Sequence, residues 1–392
     1  MGRTLSVALV VLALAAGPGA SAGKGRCTPH PSAHSAHDKP GPHVQACGLR
    51  PVGSVEVSRE AGLGQIELHG DVGAVLQRDE GIVALLDLRD PTRPKVFGRY
   101  DDGARLSLDG DLAFSDDGKW LFYARQTRQF SKDGIHVLDV ADPENPAFTS
   151  YQPEGGTLRI AYFEDEGREY VFSLDAINGL VVNRFDLTRG VLVPVASEPL
   201  PALKVGGPAS AGLYIDRRDP RLGVPLLYVT TGQTGLEIYD ISAPEMPRKI
   251  ASWDKVGLAD VEVVATKRSR VVFAATEYWF DGSAPPQVLR LDATRLGSIR
   301  PAGRLEAGFA AEETWRVQGI DLAEDVLFAA HSHAGIVGFG STGGVVAVGA
   351  AAAAVNANAG GRTSPYAMDV ETRGRLLYVT DAATGTLTVW RH

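Results

Sequence analysis

Apolar residues along the chain come in short runs, many of them alternating with polar residues and closed by Gly, Pro, Asn or Asp, a period-two pattern that predicts strands. Helical periodicity is nearly absent. One unit recurs: GIVALLDLRDPTRP from Gly81, GIHVLDVADPENP from Gly134 and GLEIYDISAPEMP from Gly235 each run from Gly through apolar residues to an Asp and a Pro-x-x-Pro turn. Weaker copies follow from Asn178, Gln287, Gly335 and Gly385. The position of the motif's Asp falls at Asp87, Asp139, Asp186, Asp240, Asp292, Gly340 and Trp390, in steps of 52, 47, 54, 52, 48 and 50 residues. A repeat near this length suits a blade of four short antiparallel strands. Seven copies predict an all-β, seven-bladed β-propeller over residues 51–392, with four strands per blade. LAFSDDGKWLFYA from Leu112 and YAMDVETRGRLLYVT from Tyr366 supply the strand–tight turn–strand half of the unit. The Gly/Ala/Asn-rich stretch Gly340–Gly361 predicts an elongated loop between blade strands. The seventh unit stops at His392 after its third strand, so ring closure is expected from the N-terminal segment VGSVEV beginning at Val52.

The Gly-to-Pro-x-x-Pro unit resembles the LVIVD repeat of secreted bacterial β-propellers, and FSDDGKWLFYA from Phe114 resembles the Asp-Gly-Lys turn of lactonase-like propellers. Clear copies lie in blades 1, 2 and 4, whereas blades 3, 5, 6 and 7 lack the proline turn. The resemblance implies a seven-bladed propeller on the secretory route with no single agreed activity, so function has to be argued from a site.

Composition narrows the partners. The 392 residues are 44% apolar and 22% charged, with a net charge of -8, a balance that disfavours nucleic acid and anionic membrane surfaces. Residues 1–22 have the layout of a signal peptide: Arg3, an apolar run from Leu5 to Ala16, Gly17-Pro18-Gly19, and Ala20-Ser21-Ala22 before the cut. The run is too short to span a bilayer, which leaves a secreted or periplasmic protein with no membrane span. Residues 23–50 form a His/Pro-rich leader in which Cys27 and Cys47 are expected to pair in an oxidising compartment. Its histidines His30, His34, His37 and His43 have metal-ligand spacing, but Pro29, Pro31, Pro40 and Pro42 oppose the helix that would align them.

Candidate chemistry falls on the loops between second and third strands, which face the mouth of the central channel with the inter-blade connections. The blade 5 loop carries Tyr278-Trp279-Phe280, large amphipathic rings suited to a peptide, protein or glycan, with Arg125 and Asp381 on the corresponding loops of blades 2 and 7. His331 and His333 of blade 6, with Glu277, are candidate ligands for a divalent metal or a carboxylate-oriented base. Asp109, Asp111, Arg159, Asp260, Glu262, Gln318 and Tyr366 are expected to line the channel from the first strands. No nucleophile elbow or phosphate-binding loop occurs in a suitable context. The leading expectation is a monomeric, non-catalytic binding protein that requires no cofactor. The alternative is a metal-assisted or lactonase-like hydrolase at the channel mouth.

Overall fold

The structure is a computed structural model that describes residues 43–78, 80–103, 107–127, 133–200, 211–232, 235–255, 257–276, 287–306, 317–331, 335–340, 345–352 and 366–392. Blade 1 consists of Leu63–His69, Val72–Gln77, Ile82–Asp87 and Lys95–Asp101, and blade 2 of Ser107–Phe114, Trp120–Thr127, Gly134–Asp139 and Ala147–Pro153. Thr157–Asp165, Arg168–Asp175, Gly179–Asp186 and Val191–Glu198 form blade 3, and Ala211–Asp216, Leu226–Thr231, Gly235–Asp240 and Arg248–Trp253 form blade 4. Blade 5 contains Leu258–Ala265, Arg270–Thr276, Val288–Asp292 and Arg300–Leu305, and blade 6 Gly319–Ala323, Val326–Ala330, Ile336–Phe339 and Val345–Ala352. Blade 7 takes Ala367–Arg373, Leu376–Asp381 and Thr386–Arg391 from the end of the chain and its outer strand, Arg50–Glu56, from the beginning. All pairings are antiparallel, and the closing strand pairs from Arg50 opposite Arg391 to Glu56 opposite Thr386, with a register shift between Pro51 and Gly53.

Alternating apolar residues make each blade greasy on both faces, so a blade is stable only between neighbours. The core accordingly divides into seven clusters, one at each blade interface, including one between blades 7 and 1 built on Val57, Leu63, Tyr378 and Val389. The ring is closed by packing as well as by strand exchange.

The repeat motif also has a local explanation. Asp87, Asp139, Asp186, Asp240 and Asp292 each accept the backbone N–H two residues on, at about 3.0 Å, turning the chain after the third strand. Each proline turn of blades 1 and 2 then seats on a glycine in the outer strand of the preceding blade. A Cβ at Gly98 would lie 2.6 Å from the carbonyl oxygens of Pro143 and Glu144, and one at Gly53 would lie 2.3 Å from that of Pro91. The closing strand therefore meets blade 1 in the same way that an ordinary outer strand meets its neighbour.

One expectation is corrected here. Val345–Ala352, inside the stretch read as a loop, is the outer strand of blade 6, because small residues can pair as a strand when a neighbour covers the edge. That cover comes from His43–Cys47 at the end of the leader, which adds a fifth strand with His43 opposite Ala352 and Cys47 opposite Val348. The segment thus crosses from the rim of blade 6 to the rim of blade 7. Cys27 lies outside the described residues. Among the described residues no helix is long and apolar enough to cross a membrane.

Candidate functional site

The first strand of each blade lines the central channel, and its channel-facing edge carries backbone N–H groups that no further strand can satisfy. Four aspartates meet that need across blade boundaries. Asp111 accepts from Ile160 N at 2.8 Å, Asp260 from Ile320 N at 2.9 Å, Asp321 from Thr372 N at 2.5 Å and Asp369 from Ile66 N at 3.0 Å. Each is a clasp from one blade to the next. Gln65 links Asp369 to Arg159: in the amide orientation that satisfies both neighbours, its N donates to Asp369 at 2.5 Å and its O accepts from Arg159 at 3.2 Å.

Glu67, Glu262 and Glu371 sit two residues beyond channel positions of blades 1, 5 and 7, on the same face of their strands. With Asp321 they form an acidic tier that shares the channel with Arg159, whose charge offsets Asp111, Asp260 and Asp369. Burial and mutual repulsion push the Glu67, Glu262 and Glu371 carboxyls well above the ordinary carboxylate range, and burial lifts Asp111 and Asp321 to about 6. Among the described residues neither Glu67 nor Glu371 has a hydrogen-bond or ion-pair partner.

Two spaces adjoin in the channel. The inner, about 130 Å³, is bordered by Glu67, Asp111, Arg159, Asp260, Glu262, Asp369 and Glu371. The outer, about 370 Å³, is bordered by Glu67, His69, Asp116, Tyr162, Tyr214 and Arg217. Glu67, Leu112, Ile160 and Leu213 border both. His69, Phe114 and Ile215 stand at the C-terminal ends of first strands, so the outer space opens on the face of the first-to-second-strand turns. That is the face opposite the loops on which the sequence placed its candidate chemistry.

The described ones among those candidates, Arg125, His331 and Asp381, stand on three different blades. Tyr278, Trp279, Phe280, Glu277 and His333 lie outside the described residues. Arg125 is buried in blade 2 in an ion pair with Asp102 of blade 1 at 3.2 Å and stands over the Tyr151 ring. Asp381 accepts the backbone N–H groups of Ala383 and Thr384 and so forms the turn before the last strand, and it also takes Tyr366 N at 3.0 Å. His331 is buried at the foot of its turn, and burial lowers its ring to about 4, leaving it neutral. Gln318 donates to the Tyr366 hydroxyl at 3.1 Å. Of the channel candidates, Asp111, Arg159, Asp260 and Glu262 converge; the side chain of Asp109 is not described.

Sequence reasoning missed Gln65, Glu67, Asp321, Asp369 and Glu371. Their signal was present as polar residues at i and i+2 in otherwise apolar first strands: Gln65/Glu67, Asp260/Glu262 and Asp369/Glu371. Among the described residues no three His, Cys, Asp or Glu side chains converge closely enough to hold a metal ion.

No family model matches the chain, and no curated protein matches it. Solved structures do. The chain is similar to the Cps50 (Swd1) β-propeller domain of Myceliophteria thermophila, with TM-score 0.56 and 12% identity over 88% of this chain and 99% of that one. It resembles Saccharomyces cerevisiae Sqt1 with TM-score 0.52 and 11% identity, covering 87% of this chain and 98% of that one. Against Chaetomium thermophilum Raptor the TM-score is 0.57 and identity 12%, over 87% of this chain and 29% of that one. At such identities the likeness is one of fold, and it establishes the chain as a seven-bladed β-propeller.

Proposed function

We propose that the protein is an exported, non-catalytic binding scaffold that engages a protein, peptide or glycan through its central channel. The observation that carries this reading is the pair of adjoining spaces in the channel, a concave and polar site of the kind that binds ligands. The aspartates deepest in it serve as blade clasps, which explains their presence without catalysis. Export rests on the signal-like residues 1–22, and the likeness of the proline-turn repeat to LVIVD propellers supports the same address. In that compartment Cys27 and Cys47 pair and anchor the leader beside its strand on blade 6. The scaffold works as a monomer and without a cofactor.

The test applies the mature protein to peptide and glycan arrays, alongside turnover assays on lactones and carboxylic esters with and without added divalent metal. Saturable binding without turnover is expected. Metal-dependent hydrolysis abolished by His331→Ala would replace the scaffold with the hydrolase reading.

A further inference from the structure

Blade 4 carries a loop longer than its fold needs. Residues 217–225 join its first two strands, whereas blades 1, 3, 6 and 7 make that connection with residues 70–71, 166–167, 324–325 and 374–375 alone. The extra residues form a fixed tip. Asp219, buried against Arg270, accepts from Arg221 N at 3.0 Å and Leu222 N at 2.8 Å, while its own backbone bonds Gly223 and Val224. Backbone held in this way keeps Arg218, Arg221 and Leu222 out in solvent, Leu222 at 50% exposure. Arg221 reaches across to blade 5, where its Nη1 donates to Lys267 O at 3.3 Å beside the exposed Arg268. Two turns thus present one patch of four cations and an apolar side chain. Arg217, at the foot of the loop, is spent on Asp116 of blade 2 at 2.6 Å, but among the described residues none of the four pairs with a carboxylate.

Neighbouring turns on the same face set the size of what fits. Glu166 of blade 3 and Glu324 and Asp325 of blade 6 are exposed on the first-to-second-strand turns to either side, so a long polyanion crossing the patch meets like charge in both directions. A short acidic segment does not. The net charge of -8 is no obstacle, since at physiological ionic strength charges are screened beyond about 8 Å and an approaching anion meets the local cations.

We propose that this patch docks a short acidic segment of a protein partner, its carboxylates on Arg218, Arg221, Lys267 and Arg268 and an apolar side chain on Leu222. The inference rests on the scaffold reading and names the partner's chemistry and its place beside the channel mouth, since Arg217 borders the outer space. The tip is already ordered, so binding costs little in loop entropy, and the exposed charges set the encounter rate and its salt dependence.

Fluorescence anisotropy on the full mature chain tests this with a labelled, neutral-ended peptide of Asp and Glu around one central Leu. The comparison probes are a counterpart with Ser for the Leu, another with Lys for every acid, heparin and a single-stranded oligonucleotide. The acidic peptide is expected to bind, more tightly at low salt, and the Arg218→Gln/Arg268→Gln double variant should weaken it at least about tenfold. Leu222→Ser, or the Ser counterpart, should weaken it about threefold or more. All three altered side chains are exposed, so the variants should melt as wild type does, which separates lost affinity from lost folding. The proposal is overturned if the acidic peptide does not bind, if the Lys peptide binds as well, if the double variant or Leu222→Ser binds normally, or if heparin or the oligonucleotide binds in the peptide's place. A ligand found on the arrays whose binding ignores Arg218 and Arg268 would then leave the scaffold standing without this surface, and no binding on arrays or in solution would remove both.

Discussion

Lowering the pH from 7 to 5 should stabilise this protein, the reverse of ordinary acid sensitivity. Burial disfavours the charged forms of Asp111 and Asp321 and pushes both carboxyls up from the ordinary 3.8 to about 6 in the folded chain. A raised folded-state value means that the native chain binds protons more tightly than the unfolded one. The contribution is fully present below the unfolded value and is lost as pH rises through about 6. For a shift of that size each group loses about 1.3 kcal/mol between pH 5 and pH 7, and the two together about 3 kcal/mol. In a ring of this length that corresponds to a melting temperature about 4 °C higher at pH 5. Glu67, Glu262, Glu371 and Asp369 act in the same direction. Below pH 4 the sign reverses, since groups such as Asp87, held at about 2 chiefly by its Arg89 hydrogen bond, begin to lose their stabilising charge. Calorimetric melts between pH 5 and pH 7.5, repeated for the Asp111→Asn/Asp321→Asn pair, read the effect. Asn retains an acceptor oxygen for the clasp, so the variant should flatten the profile. A wild-type melting temperature that is constant or falls toward pH 5 would refute the reasoning, as would an unchanged slope in the variant.

Three further outcomes follow from the packing. Arg270 of blade 5 is buried against Asp219 of blade 4, its Nε donating at 2.9 Å, and Arg270→Met strands the carboxylate; a loss of about 3–5 kcal/mol in denaturant melts is expected, and less than 1 kcal/mol would deny the pair a role in joining the blades. Deleting residues 50–56 removes the outer strand of blade 7 and bares the edge of Thr386–Arg391, so the truncated chain should be insoluble, whereas a soluble, cooperatively melting product would refute closure by strand exchange. Gly98→Val drives a side chain into the Pro143 and Glu144 carbonyls and should cost about 1–3 kcal/mol, while a neutral effect would show that the proline turn does not seat on that strand.

The fold was legible because the repeat is a physical unit: the glycine, the apolar run, the turn-forming Asp and the prolines each perform the same local task in blade after blade. The closing strand was legible for a related reason, since a seventh blade with three strands must borrow a fourth. Val345–Ala352 was harder to read, because Gly and Ala are weak strand formers and the strand that covers its edge, His43–Cys47, lies just over three hundred residues earlier. The channel was half legible. Asp111, Arg159, Asp260 and Glu262 declare themselves as polar residues in inner strands, but the tier of Glu67, Asp321 and Glu371 exists only once blades 1, 6 and 7 meet around the axis. Asp381 and Arg125 illustrate the converse: polar residues on promising loops that are absorbed by a turn and by an inter-blade ion pair.

Crowded by other carboxylates around the channel, Glu67 and Glu371 hold their protons well above the ordinary carboxylate range. Carbon-13 NMR of the glutamate-labelled mature chain, with the Glu67 and Glu371 carboxyl signals assigned by their glutamine variants, reads that titration directly. The predicted result is titration of both groups well above the ordinary carboxylate range. Titration of both groups in the ordinary range would contradict it.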